Sequence, residues 1–324
     1  MKKHRSLAAF IVICSLFVLP VSAAEEAPRI VFADAPAAAA EAVQTITRKL
    51  LIPYGVGPGA GGSDLDAVAE GYFAVESIAI TAAAPVSGAS AAIRTRLKEA
   101  GTYVSLDDFL AEAAEDSQLD YGKYTVTATA GGHRMEFPKG VWYCKIDGRV
   151  LPMSESCFEE DGCLFVPIRV LAPVFSYDIE WDAETRAVTL TDNGQPFLTG
   201  DQFYNQSDCT LLAKLIRAEA GNQSLTGKIA VGNVVLNRVR SKMFPNSIKS
   251  VIYDRSSGIQ FTTAYNGAID KSPTEECIVA AKLCLEGYSV TESSLFFFNP
   301  RYPSRWIKNN RTYVMTIGDH VFYK

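Results

Sequence analysis

LLAKLIRAEAG, residues Leu211 to Gly221, reads as an amphipathic helix, with Leu212, Leu215 and Ile216 at the three- and four-residue spacing that shares one face. The next position on that stripe is Glu219, a carboxylate where the pattern asks for another aliphatic residue. A carboxyl group there loses hydration, which raises its pKa. It also lies in the last turn, just before Gly221 and Asn222, where the negative end of the helix dipole favours the protonated form. Glu219 is therefore a candidate general acid. A Glu at the edge of a polar face, paired with a nearby Arg or Lys, gives the same pattern.

Working outward, the turn GNQSL leads into a second helix from Thr226 to Arg240, whose apolar residues Ile229, Ala230, Val234, Val235 and Val239 recur at helical spacing. Pro245 prevents its continuation. A third helix is marked by Ser272 as N-cap, Pro273 in the first turn, Glu275 completing a capping box and Gly287 as the stop. LFFFNP and TYVMTIGDHVFYK are aromatic and β-branched and read as short strands. The expectation is a mainly helical α+β domain over residues 208–324.

Upstream, the first 24 residues combine Lys2, Lys3 and Arg5, an apolar run from Leu7 to Leu19 and the small-residue site Val21-Ser22-Ala23, the pattern of a secretory signal peptide. Cys14 has no small residue before it, which argues against lipid attachment, and no second apolar run is long enough to span a bilayer. Residues 25–100 mix Ala-rich tracts with YGVGPGAGG and read as a linker or loosely ordered region, with one short strand near Phe73 to Thr81. Over 101–195 the chain matches itself at an offset of 62 residues. Tyr103, Val104 and Leu106 align with Phe165, Val166 and Ile168, Phe109 with Leu171, and Val126 and Thr127 with Val188 and Thr189. Each half reads as strand, short helix, turn and strand, so the fold class expected for the whole is α+β, a small two-fold repeat domain followed by the helical one.

Charge separates the two parts. Thr210 to Lys324 carries 15 Lys+Arg against 8 Asp+Glu, whereas Ala24 to Cys209 carries 13 against 28. A basic C-terminal half on an exported protein suits an anionic extracellular polymer such as cell wall. Nucleic acid fits less well, since the basic residues are dispersed and the compartment is wrong. Six cysteines follow residue 24, an even number that export would allow to pair. Cys157 and Cys163 flank EEDG and are placed to face each other across a hairpin, while Cys277 and Cys284 lie two helical turns apart and too far to bridge. There is no CxxC, and only His133 and His320 remain after residue 24, so no metal site and no cofactor are expected.

Two family resemblances rest on these residues. LFVPIRVLAPVFSYDIEWDAETRAVTLT, with its V-P-I-R strand and W-D-A-E-T turn, resembles the copper amine oxidase N-terminal-like domain of exported bacterial wall proteins. With His133 as the region's single histidine we infer no copper, and wall binding, spacing and a purely structural role stay open. LLAKLIRAEAGNQSLTGKIAVGNVVLNRVRS, MFPNSIKSVIY, IQFTTAYNG, SLFFFNP and WIKNNRTYVMTIGDHVFYK, in that order, resemble the SleB-type cell wall hydrolases, the spore cortex-lytic enzymes and their relatives. Family members carry G-E-A where this chain has Ala218-Glu219-Ala220. The resemblance implies a lysozyme-like fold, peptidoglycan glycan strands as substrate, cleavage of the MurNAc–GlcNAc bond and Glu219 as the essential acid.

Ordinary glycosidases need two carboxylates. Glu219 stands alone in its helix and loop; Asp254, Asp270 and Glu276 lie elsewhere, and Glu275 is assigned to the capping box. One residue acting as acid and then as base is the lytic transglycosylase route to 1,6-anhydro products. Gln260, Thr262 and Thr263 are candidate donors to sugar hydroxyls or an N-acetyl group, and Tyr265 a candidate ring platform. Asn299 is a polar reader beside aromatics, Trp306 a sugar platform or core filler, and His320 a site residue or a structural one. Asn237 and Arg238 match the family too, with Arg238 also readable as a tie between helices. A hydrolytic muramidase or glucosaminidase, and a non-catalytic wall-binding protein, are the competing readings.

Overall fold

Val126, Ala128 and Ala130 are buried and alternate with threonines that are half-buried or exposed, and this period of two makes Thr125–Ala130 a strand with one face in the core. The computed structural model describes residues 29–33, 79–82, 93–98, 101–182, 187–256 and 258–324. The signal-peptide reading lies outside them. Strands β1 (Arg29–Ala33), β2 (Ala79–Ala82), β3 (Thr95–Lys98) and β4 (Gly101–Ser105) come first, then helix α1 (Leu106–Ala113), β5 (Gln118–Tyr121), β6 (Thr125–Ala130), β7 (His133–Pro138), β8 (Tyr143–Ile146), β9 (Arg149–Pro152), β10 (Phe158–Glu160), β11 (Cys163–Pro167), the single-turn α2 (Ile168–Leu171), β12 (Tyr177–Asp182) and β13 (Ala187–Asp192). They form three antiparallel sheets, ordered β12-β13-β1-β2, β10-β11-β4-β3 and β5-β6-β7-β8-β9. Residues 25–100, read above as a linker with one short strand near Phe73 to Thr81, supply β1, β2 and β3, of which β2 overlaps that reading; RIVFA and TRLK are short and set among Ala- and Gly-rich tracts, and they are strands through pairing with β13 and β4.

Strand, helix, strand, strand runs through β4, α1, β5 and β6 and again through β11, α2, β12 and β13, with β4 beside β11. The two runs end differently. β6 continues into the five-stranded meander, whereas β13 pairs with β1. The cysteine expectation fails on register, because Glu160 lies opposite Cys163 and Phe158 opposite Phe165. Cys157 and Cys163 therefore do not face each other, and all six described cysteines are free.

The C-terminal part opens with α3 (Gly200–Phe203), followed by α4 (Gln206–Ala220), α5 (Leu225–Arg240), α6 (Ile248–Ile252), α7 (Glu275–Leu285), strand β14 (Phe296–Phe298), α8 (Arg305–Asn310), β15 (Tyr313–Ile317) and β16 (His320–Tyr323). Side-chain caps set most of these starts: Asn205 accepts from Ser207 N and Asp208 N, Ser224 from Gly227 N, and Thr274 from Cys277 N. The third helix accordingly starts later than expected. Thr274, not Ser272, is the N-cap, Pro273 precedes it, and Glu275 has no capping role and pairs with Lys145 at 2.6 Å. Both residue types suit an N-cap, and only the chain's approach to the helix decides between them.

α4, α5 and α7 pack around Leu212, Leu215, Ile216, Ile229, Val235, Ala280 and Leu283. Gly232 on α5 permits the close approach, since a Cβ there would lie 2.6 Å from Cys284 Sγ and 3.1 Å from Ile216 Cδ1. β14, β16 and β15 form a small antiparallel sheet in that order. The two parts share a packed junction. Val150 of β9 enters the helical core, Trp142 stacks on Tyr288 at 4.5 Å, and Lys282 Nζ donates to Gly148 O at 2.6 Å.

Candidate active site

Leu212, Leu215 and Ile216 are fully buried, and Glu219, one turn on, is half-buried at the edge of the same stripe. Burial pushes its carboxyl above the usual range; the Thr263 hydroxyl, which donates to Oε1, and the nearby charge of Arg238 act against that rise. The helix places the acid, and a separate loop supplies its partner. That loop is fixed at three points: Phe261 is buried, the Tyr265 hydroxyl donates to Tyr253 O at 2.6 Å, and Arg217 Nη1 donates to Ala268 O at 3.2 Å.

Arg238 is the second charged group here, and the opening pattern applies to it as well. It follows Val234 by four residues and Val235 by three, so it too occupies an apolar stripe. Only 3% of it is exposed. Its Nε donates to Leu295 O at 2.7 Å, and its guanidinium lies over the rings of Phe244, Phe261 and Phe296 at 4.9, 5.0 and 5.6 Å. Burial brings it down to about 10, opposed by the charges of Asp254 and Glu219. Asp254 is held below the usual carboxylate range, chiefly by the Ser256 N–H, which donates to it at 2.9 Å.

The remaining expected residues divide. Thr263 meets Glu219, whereas Thr262 is exposed at the start of the 3-10 turn Thr262–Ala264. Gln260 Nε2 donates to Gly258 O at 3.3 Å. Tyr265 has its hydroxyl committed and Arg255 over its ring at 4.1 Å, so that face is not open for stacking. Asn299 Oδ1 accepts from Arg301 N at 3.0 Å, a local turn bond. Trp306 is 55% exposed, edge-on to Phe296 at 6.2 Å, so it is not core filler. His320 is buried edge-on against Phe297 at 5.2 Å, and burial lowers its pKa, with the charge of Asp319 opposing.

The turn after Glu219 is tied down on both sides. Gln223 Oε1 accepts from Asp319 N at 3.0 Å, and buried Lys228 donates to Gln223 O and to Glu276 at 2.7 Å. Two of the other candidate acids are thereby accounted for, Glu275 by Lys145 and Glu276 by Lys228. Asp254 is the acid whose charge reaches the site, through Arg238.

The family model described as Cell Wall Hydrolase matches residues 222–323, beginning three residues after Glu219, and that of the copper amine oxidase N-terminal domain matches 89–190. A spore cortex-lytic enzyme of Bacillus cereus is 34% identical over 122 residues, 37% of this chain and 46% of that protein. The cell wall hydrolase CwlJ of Oceanobacillus iheyensis is 31% identical over 111 residues, 32% of this chain and 77% of that one. The solved catalytic domain of the germination-specific lytic transglycosylase SleB from Bacillus anthracis is 34% identical, with a TM-score of 0.34, over 37% of this chain and 97% of that one. The chain spans about half the length of the spore cortex-lytic relatives it matches.

Proposed function

The chain belongs to the cell wall hydrolase family, and from this we propose that residues 208–324 form a lysozyme-like catalytic domain that cleaves the MurNAc–GlcNAc bond of peptidoglycan as a lytic transglycosylase. Glu219 protonates the glycosidic oxygen as the bond to the muramic C1 breaks. The resulting carboxylate takes the proton of the muramic 6-hydroxyl, whose oxygen closes on C1 to give the 1,6-anhydro product. The observation that carries this reading is the half-buried Glu219, whose carboxyl burial pushes above its usual range, with a hydroxyl donor on one oxygen, an environment suited to an acid that later serves as base.

Gln260, Thr262 and Asn299 are assigned to sugar contacts as polar loop residues, and Trp306 to ring stacking on the strength of its exposure, with the Arg311 guanidinium over its ring at 4.7 Å. Thr263 orients Glu219. Tyr265 and His320 take supporting positions, since both are packed against neighbouring groups. Residues 301–313 carry Arg301, Arg305, Lys308 and Arg311 and no acid, beside exposed Tyr302, Trp306 and Tyr313, a face suited to an anionic wall polymer.

Residues 101–195 are assigned to wall binding or spacing, and the recurrent strand-helix-strand-strand order supports their origin as two copies of one unit. Export to the cell wall or spore envelope follows from the substrate and from the N-terminal pattern; no helix among the described residues is long and apolar enough to cross a membrane.

The test is the product. Mass spectrometry of digested sacculi is expected to give anhydro-muropeptides, and reducible ends would overturn the transglycosylase. Asp254 favours that second, hydrolytic reading, because an ionised acid coupled to Glu219 through Arg238 has the character of a base or nucleophile.

A further inference from the structure

Arg238 takes part in neither proton transfer above, yet it is an expensive side chain to place. A guanidinium that leaves water loses hydration that its surroundings must offset, and apolar residues of similar volume fill such a site at lower cost. Three phenylalanine rings and one carbonyl fix its plane without neutralising it. Nη1 is buried with no hydrogen-bond partner. The ring of Phe261 beneath it belongs to the same loop as Thr263, the donor to Glu219.

We propose that Arg238 is a positioning residue for Glu219, a caged cation with one buried amino group left unpaired, which stabilises the carboxylate that remains once Glu219 has protonated the glycosidic oxygen. This rests on the reading of Glu219 as acid and then base. Burial alone favours the acid form and so serves only the first step. A fixed positive charge in a low-dielectric setting serves the second without reorganising.

Arg311 shares the Phe296 ring with Arg238, at 4.7 Å against 5.6 Å, and is the second cation on that side of the cage. The Thr263 hydroxyl of the 3-10 turn Thr262–Ala264 donates to Glu219, the charge of Arg238 on α5 acts on it, and Arg238 lies over the ring of Phe261, two residues before Thr263. Asp254, after α6, acts on Arg238, and Lys249 on α6 is exposed. Of the other charges on adjoining elements, Arg217 of α4 is bonded to Ala268 O, Asp270 is exposed, and Glu276 of α7 is held by Lys228.

The experiment is the pH dependence of sacculus cleavage by the full chain and its Arg238→Met and Arg238→Lys variants, with thermal unfolding of each. As an acid, Glu219 loses activity when pH rises through its pKa, and removal of a neighbouring cation raises that pKa. Arg238→Met is expected to move the alkaline limb up by about one pH unit and to cut the rate on the order of a hundred-fold, with a melting temperature no lower than that of the parent. Arg238→Lys keeps the charge and is expected to keep the limb where the parent has it.

A limb that stays in place in Arg238→Met, whatever the rate, overturns the proposal. Where a variant cleaves too slowly for a profile, carbon NMR titration of the Glu219 carboxyl reads the same shift. Should Arg238→Met fail to fold, Arg238→Gln, which removes the charge but keeps an N–H donor, decides, an upward shift supporting the assignment and a limb that stays in place overturning it. Failure of the underlying reading shows separately, as full activity in Glu219→Gln.

Discussion

At the residue scale the chemistry rests on Glu219 and the two groups that act on it. Glu219→Gln is expected to lower sacculus cleavage by about 10²- to 10⁴-fold, the usual worth of a positioned general acid or base. Its effect on stability runs the other way. The folded state raises the Glu219 pKa, so the stability this group contributes is present below its unfolded value of about 4.5 and is lost as pH rises through the folded value. Gln carries no such pH term, so the advantage of Glu219→Gln in urea denaturation should grow above pH 4.5 and then level off; a variant less stable at pH 8 than the parent contradicts the burial argument. Thr263→Val removes the donor that opposes the rise, and a single hydrogen bond to a charged group is worth about 1.5–3 kcal/mol, so the rate should fall about ten- to hundred-fold with the alkaline limb displaced upward. Glu219 was legible because a carboxylate broke an apolar stripe. Arg238 broke one in the same way, but a long basic side chain on a helix usually reaches water, and three phenylalanines from separate segments hold this one in. Thr263 was legible only as part of a polar loop, because its partner is 44 positions away.

At the element scale, α5 does most of the holding. Every residue from Gly227 to Arg238 is buried, and its polar members bond to backbone instead of water. Asn233 joins Tyr288 O at 2.9 Å and Val290 N at 2.8 Å, and Asn237 joins Thr291 O at 2.8 Å and Ser294 O at 3.1 Å. These bonds lay an irregular segment along the helix and deliver Leu295 O to Arg238. Helical spacing therefore revealed the helix itself, while its wholly buried character depends on what packs around it and is absent from its own periodicity. Gly232 is the tightest point. Gly232→Ala is expected to destabilise the fold by about 1–3 kcal/mol from overpacking, more than the helix-propensity gain of about 1 kcal/mol. Cys284→Ala in the same chain should recover part of the loss, since it removes the sulfur 2.6 Å from the new Cβ. Additive losses in urea denaturation would show that the contact is not the cause. The 301–313 segment answers to a different measurement. Replacing Arg305 and Lys308 by Gln should weaken sacculus retention and flatten its salt dependence, while leaving cleavage of short soluble fragments unchanged.

At the scale of the whole molecule, charge and composition indicated two parts, 101–195 and 208–324, and said nothing of how they meet. The parts meet through buried polar groups that no local pattern announces, because each comes from a different element. Glu286, its side chain 5% exposed, accepts from Arg149 Nε at 2.9 Å, Arg149 Nη2 at 2.6 Å and the Tyr204 hydroxyl at 2.5 Å. Tyr204 in turn accepts from Val150 N at 3.1 Å, and Phe203 and Phe197 lie against Arg149 at 3.8 and 4.8 Å. Residues on either side of 196–207 are thus joined by one network of largely buried polar groups, from which the sheet region and the helical region are expected to unfold together. Removing one partner leaves the other charge buried, at a cost of about 3–5 kcal/mol, whereas replacing both by apolar groups is close to neutral. Arg149→Met should therefore split urea unfolding into two transitions, the first belonging to the separated sheet region. Arg149→Met with Glu286→Leu should restore one transition near the parent midpoint, giving a coupling energy far from zero in the double-mutant cycle. If Arg149→Met and Glu286→Leu, each alone, unfold in one step at the parent midpoint, the regions are held by the apolar contacts of Val150 and Trp142 instead, and the charged network only fills space between them.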